Sequence, residues 1–237
     1  VAHSNDQRVV LRPQISYANK FGKHDVGALF LYEQTTYTSE SMNAGRRDFP
    51  VFDLPELNFG DPTTATNASS SGKSAFAGFV GRLNYAYDDK YLIEASFRYD
   101  GSYLFHKDHR WGFFPSVSVG WVMSQEDFFQ SALPKIEYFK LRGSIGTLGN
   151  DNVTAFLYRK QFAYNASSVA FGSTPASQGT LSNSVAFPFE DLTWERTRTY
   201  DIGFEMSAWN GLLGVEFDYF YKYTFNILQS IGGIYPP

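Results

Sequence analysis

The sequence predicts an all-β chain, an antiparallel transmembrane β-barrel segment of about eight strands. Three observations predict it. Apolar and polar residues alternate with a period of two through runs of about ten residues. Aromatics make up 18% of the chain, with 16 Tyr and 23 Phe, against 19% charged residues. Connections between the alternating runs are short at one end and long and polar at the other, which is how membrane barrels are built.

The alternation is clearest in three runs. In Tyr91–Asp100, Tyr91, Ile93, Ala95, Phe97 and Tyr99 alternate with Leu92, Glu94, Ser96, Arg98 and Asp100. In Thr199–Trp209, Tyr200, Ile202, Phe204, Met206 and Ala208 alternate with Thr199, Asp201, Gly203, Glu205 and Ser207. In Leu212–Phe225, Val215, Phe217, Tyr219, Tyr221 and Tyr223 share a face, with Glu216, Asp218 and Lys222 opposite. A soluble sandwich also alternates, but its strands run about five or six residues, whereas a membrane strand needs roughly nine to eleven. Strands are accordingly expected near 7–19, 25–37, 76–87, 90–101, 111–122, 138–148, 194–209 and 212–226.

Turn chemistry orders these strands. Asn210-Gly211 is a two-residue hairpin signal, and Asp88–Lys90 and 20–24 are also short, whereas 38–74 and 149–193 are long and polar. Direction flips at every strand. The short turns and 124–136 therefore belong at one end, with 38–74, 102–110 and 149–193 at the other. Parity allows 149–193 only zero or an even number of crossings, so Phe156–Tyr164 reads as half of a hairpin outside the membrane. Ser124–Ala132 is the one candidate helix, with Ser124 as its N-cap.

Other classes lack support. No run approaches the eighteen or so apolar residues of a membrane helix. With no Cys, disulfides and thiolate metal sites are excluded. The net charge of -4 gives no basic footprint for nucleic acid. Val1-Ala2-His3-Ser4 has no basic start and apolar core, so it is not a signal peptide.

Several segments resemble the SusC/RagA family of TonB-linked outer-membrane transporters. They are Gly81-Arg82-Leu83-Asn84-Tyr85, Asp89-Lys90-Tyr91-Leu92, Glu94 through Ser102, and Arg110-Trp111-Gly112-Phe113-Phe114-Pro115-Ser116-Val117-Ser118-Val119-Gly120-Trp121. Further on come Lys140-Leu141-Arg142-Gly143-Ser144, Leu192-Thr193-Trp194-Glu195 and Asp218-Tyr219-Phe220-Tyr221. The resemblance implies a barrel of about twenty-two strands around a plug, with 1–237 as part of the barrel domain and the plug, TonB box and terminal strands absent. It also implies active import of a large nutrient, an oligosaccharide or a peptide, across the bacterial outer membrane. The implied partners are outer-membrane lipid, a SusD-like surface lipoprotein and the TonB complex. A passive porin, or a structural barrel subunit of a larger complex, is the alternative.

No catalytic site, metal site or cofactor is expected. His106-Lys107-Asp108-His109 has ligand residue types but no third ligand, and His3 and His24 stand alone. Asp100, Asp151 and Glu126-Asp127 carry no pairing geometry, and there is no Gly-x-Ser-x-Gly elbow. Loop aromatics Phe49, Phe52, Phe59, Tyr103, Phe105 and Tyr164 are the candidates for facing substrate, since rings can stack on sugars. Trp111, Trp121, Trp194 and Trp209, near strand ends, fit interfacial girdles. Arg82, Glu94, Arg98, Arg142, Glu205 and Glu216 are expected to face the lumen, where mixed charges form an ion-paired wall.

Overall fold

The computed structural model describes the chain except residues 51–55, 161, 166–179, 184–187 and 228–237, and the side chains of β8 and β9. The elements in chain order are β1 Ala2–Leu11, β2 Gln14–Phe21, β3 His24–Gly45, β4 Thr66–Tyr87, β5 Tyr91–Ser102 and β6 Trp111–Val122. Then come α1 Asp127–Ala132, β7 Ile136–Asn150, β8 Phe162–Asn165, β9 Thr180–Asn183, β10 Glu195–Ala208 and β11 Leu213–Phe225. β1 and β2 share one edge of β3, and β4, β5, β6, β7, β10 and β11 follow in that order, all antiparallel. β1 and β11 lie at opposite edges, so the sheet is an open wall. β8 and β9 pair in a separate two-stranded sheet, so among the described residues 149–193 adds no strand to the wall between β7 and β10, in keeping with parity.

β1 and β2 are one strand interrupted at Arg12-Pro13. Leu11 pairs with Gln34 and Gln14 with Leu31, in the same register. Pro13 has no N–H to give the ladder, but its carbonyl still accepts from Tyr32 N–H at 3.1 Å. The other expected strands are found with ends shifted by a few residues, except at β3 and β4. These run 22 residues each and stay paired from His24–Tyr87 to Gly45–Thr66. Much of 38–74, expected as loop, is therefore a tall hairpin. Its side chains (Ser39, Ser41, Asn43, Ser69, Ser71) are polar on both faces because both faces are solvated, which erases the alternation that would have revealed it.

Left-handed backbone shapes the short turns, Gly22 (φ 61°) between β2 and β3 among them. Asp88 and Asp89 have φ of 53° and 55°, and Lys90 N–H donates to Tyr87 O at 3.0 Å, a type I′ turn. The Asn210-Gly211 connection is longer than the expected two residues. Ala208 pairs with Leu213, and Trp209, Asn210 and Gly211 all have positive φ. Lys135 O and the Glu137 carboxylate accept from the N–H groups of Trp209 and Asn210, drawing both residues out of the ladder.

The short turns knit into one rim. Asp88 N–H reaches Lys23 O at 2.7 Å, and Lys23 and Lys20 pair with Asp88 and Asp89. Glu126 accepts from Lys90 Nζ, Tyr91 Oη and Trp121 Nε1. That carboxylate precedes α1 and makes no cap bond, and Ser124, the expected cap, is buried instead. The three donors hold the Glu126 carboxyl below its ordinary range, Tyr91 contributing most, and the carboxylate in turn raises Lys90.

Candidate functional site

Strand register sorts the side chains onto two faces. One carries Ile93, Val119, Ile145, Ile202, Phe217 and Tyr219, all large, apolar and solvent-exposed, with Ile202 at 63% and Tyr219 at 64%. Cross-strand ladders cover this face: Phe139, Phe204 and Phe217 stack in series at 5.8 Å. Tyr87, Tyr91 and Trp121 stack near the short turns, and Phe79, Trp111 and Tyr99 near the long connections. Trp111 and Trp121 thus lie at the two ends of this face, and Trp209 is exposed at its turn.

The other face is polar and concave, and Arg142 on β7 is its hub. Its guanidinium donates to Glu205 on β10 at 2.7 Å, to Glu216 on β11 at 2.7 Å, and bidentately to Asp218. Lys140 adds a 3.8 Å pair to Glu205. Such a planar fork serves several carboxylates at once, which a lysine cannot. Gly203, opposite both Arg142 and Asp218, leaves the room; a Cβ there would collide with the Asp218 carboxylate. Arg82 and Glu94 approach to 3.8 Å, and Arg98 clamps Asp100 through two bonds of 2.9 and 3.0 Å. All six residues expected on the lumenal face share this one. Beside Arg142 lies a depression of about 630 Å³ bordered by Asp25, Asn84, Glu94, Lys140 and Asp201.

A seam cuts the upper wall. β5 pairs with β6 up to Trp111, and β7 with β10 up to Asn150, but β6 and β7 pair only between Ser116–Gly146 and Val122–Lys140. Above Pro115 the two strands part. Phe114, on the polar-face register of β6, crosses the gap to lie against Gly149 of β7, and Arg196 of β10 sits 5.8 Å over its ring. Both partners belong to the apolar-face register of their strands, so β7 and β10 step behind β6 here. Phe105, Phe114 and Trp194 make a buried cluster at the step, with Phe76, Val153 and Leu192 packed against it.

This cluster corrects two expectations. Trp194 is not a girdle residue: it is 3% exposed and donates Nε1–H to Arg110 O at 2.9 Å. Phe105 is fully buried against Trp194 and so is closed to substrate in this structure. Of the remaining loop aromatics, Phe59 is exposed, Phe49 packs on Gly60, and Tyr103 meets Phe156 edge-on at 6.0 Å. Phe52 and the Tyr164 side chain lie outside the described residues. His106 and His109 face different carboxylates, Asp108 and Asp191. The aromatic cluster left no local signal in the sequence, since only the step between β6 and β7 brings its members together.

The chain and its fold have known relatives. The family model described as TonB dependent receptor-like, beta-barrel, matches residues 3–237. The chain belongs to this family. It is 36% identical over 177 residues to the TonB-dependent receptor P26 of Formosa agariphila, covering 74% of this chain and 17% of that protein. It is 33% identical over 162 residues to the TonB-dependent receptor SusC of Bacteroides thetaiotaomicron, covering 67% of this chain and 16% of the relative. Among solved structures, the RagAB peptide importer in its closed-closed state superposes with a TM-score of 0.82 at 24% identity, over 94% of this chain and 24% of that one. The chain thus spans about a sixth of the length of the two family relatives and about a quarter of the RagAB chain.

Proposed function

We propose that the chain is part of the barrel wall of an outer-membrane importer that takes up a large nutrient, an oligosaccharide or a peptide, with energy delivered through TonB. The observation that carries this is the two-faced wall: exposed aromatics and β-branched residues on one side, paired charges on the other. On β5, Tyr91 and Tyr99 of the two stacked ladders are eight residues apart, about 26 Å along a strand at about 3.3 Å per residue. Tilted by about 40°, that is about 20 Å, close to the roughly 25 Å apolar band of such barrels. The short-turn rim then lies on the periplasmic side and the tall β3–β4 hairpin outside the cell.

In this arrangement the Arg142 network faces the lumen and stiffens the wall toward a plug, and a SusD-like surface lipoprotein closes the lumen from the extracellular side. The chain's own side chains do no catalysis; they line, brace and exclude lipid. The test is nutrient uptake by cells lacking the full-length protein, before and after a protonophore collapses the inner-membrane gradient. Uptake should vanish in the deletion strain and, in the parent, on collapse. Uptake that needs the protein but survives collapse would assign a passive porin instead.

A further inference from the structure

The tall hairpin is paired on one flank only. β1 covers β3 as far as Asn43, whereas β5 joins β4 only from Phe76 downward, the last contact being Tyr103 N–H to Ala75 O at 3.3 Å. Backbone bonds fix which groups of β4 are left. Ala44 N–H donates to Val1 O and Tyr32 N–H to Pro13 O, so even-numbered residues of β3 point toward β1 and β2. Odd-numbered residues of β3 therefore point at β4, and the unbroken register Gly45–Thr66 through Thr35–Phe76 aims the even-numbered residues of β4 back at β3. Asn67, Ser69, Ser71 and Lys73 turn their N–H and C=O outward, and among the described residues none of these groups has a backbone partner. Every residue from Thr66 to Lys73 is exposed.

An open edge of this kind is normally blunted by proline, bulges or charged side chains, lysine above all. Here there is no proline and no register shift, and Lys73 is the one charge. We infer that the upper edge of β4, residues 67–73, captures a free peptide as an added antiparallel strand. The claim rests on the outer-membrane placement above, which puts this edge in water outside the cell. Donors and acceptors recur at every second residue, about 6.8 Å apart, which is the repeat of another polypeptide and not of a sugar chain. The flanking side chains (Asn67, Ala68, Ser69, Ser70, Ser71, Gly72) are small, so they form no pockets that select side chains, and mixed sequences fit. The same smallness argues against a folded partner or a second copy, since this strip buries far less than the roughly 1,200 Å² a stable protein interface needs. Hydrogen bonds formed here exchange against water, so binding is reversible, as capture ahead of import requires.

The test uses the native full-length protein in lipid nanodiscs and a fluorescein-labelled decapeptide of alternating Thr and Gln. A second probe is the same peptide N-methylated at its two central residues, which spoils a donor on each edge. The unmodified peptide should bind, and the methylated one should bind at least about tenfold more weakly. The double variant Ser69→Pro/Ser71→Pro removes two outward N–H groups while sparing the β3 ladder, so it too should lose about tenfold. Ser70→Pro attacks the ladder itself and should instead expose the hairpin to protease. Equal binding of the two peptides, undiminished binding by the double variant, or no binding by the unchanged protein overturns the inference. So does efficient disulfide dimerisation of Ser71→Cys, which would place a second copy on the edge. Nutrient uptake that persists alongside such a result leaves the importer intact and removes only the peptide edge.

Discussion

The short-turn end and the long-connection end of this wall are built on different principles. At the short-turn end three of the four connections are tight, the strands alternate cleanly, and the turns are tied to one another through Lys23, Asp88, Lys90 and Glu126. At the other end β4 outruns β5, β6 parts from β7, and the chain closes the gap with a buried aromatic cluster. One end follows from periodicity and turn chemistry, which are local. The other follows from how two stretches of sheet slide past each other, which is not.

The largest effect that would sharpen this contrast is at the step between β6 and β7. Trp194→Ala should cost about 3–5 kcal/mol, as for other buried aromatics, measured by guanidinium unfolding of the full-length protein. Trp209→Ala, exposed at its turn, should cost far less. Equal costs would mean the cluster is not what holds the upper wall.

Next in size is the apolar face. Ile202→Arg or Phe217→Arg should destabilise by about 2–4 kcal/mol if these positions sit near the bilayer midplane, whereas arginine at Glu205 or Glu216 should cost less. Folding yield into phospholipid vesicles reads the difference. A weaker effect is expected at Arg142→Met, which leaves Glu205, Glu216 and Asp218 repelling one another on a solvated surface. Its thermal midpoint should fall at low ionic strength and recover in high salt, because exposed charges are screened; a salt-independent loss would point to packing instead.

The smallest effect is at the short-turn rim, and its sign follows from the ionisations. Glu126 titrates below its ordinary value of 4.5 in the folded protein. Its stabilisation is therefore complete above about 4.5 and is lost as pH falls through the lowered value. Lys90 is raised above 10.5, so its share is present below that value and is lost as pH rises through the raised one. Hydrogen-exchange protection of Asp127–Ala132, corrected for intrinsic rates, should drop between pH 6 and pH 3, and Glu126→Gln should flatten that drop.

The same contrast decides what the sequence reveals. The strands from β5 to β7, β10 and β11 were legible because one face is apolar and the other polar, and the charges of the polar face followed from that parity. The top of the β3–β4 hairpin was not, because Ser and Thr on both faces leave no period to read. Trp194 and Phe105 carried girdle and loop signatures, and only the step at Pro115 buries them. Ser124 looked like a helix cap, but Glu126 occupies that place and spends its carboxylate on Lys90, Tyr91 and Trp121.

The most direct test of the two-faced wall places single nitroxide-labelled cysteines at Ile202, Phe217 and Tyr219, and at Asp201, Glu216 and Asp218, in the full-length protein in vesicles. Their collision rates with oxygen, which concentrates in lipid, and with a water-soluble nickel chelate then separate the two environments. The first three sites should favour oxygen and the second three the nickel chelate, switching at each step from Glu216 to Tyr219. Accessibility that does not alternate along β11, or that favours the nickel chelate at Ile202 and Phe217, would contradict the account.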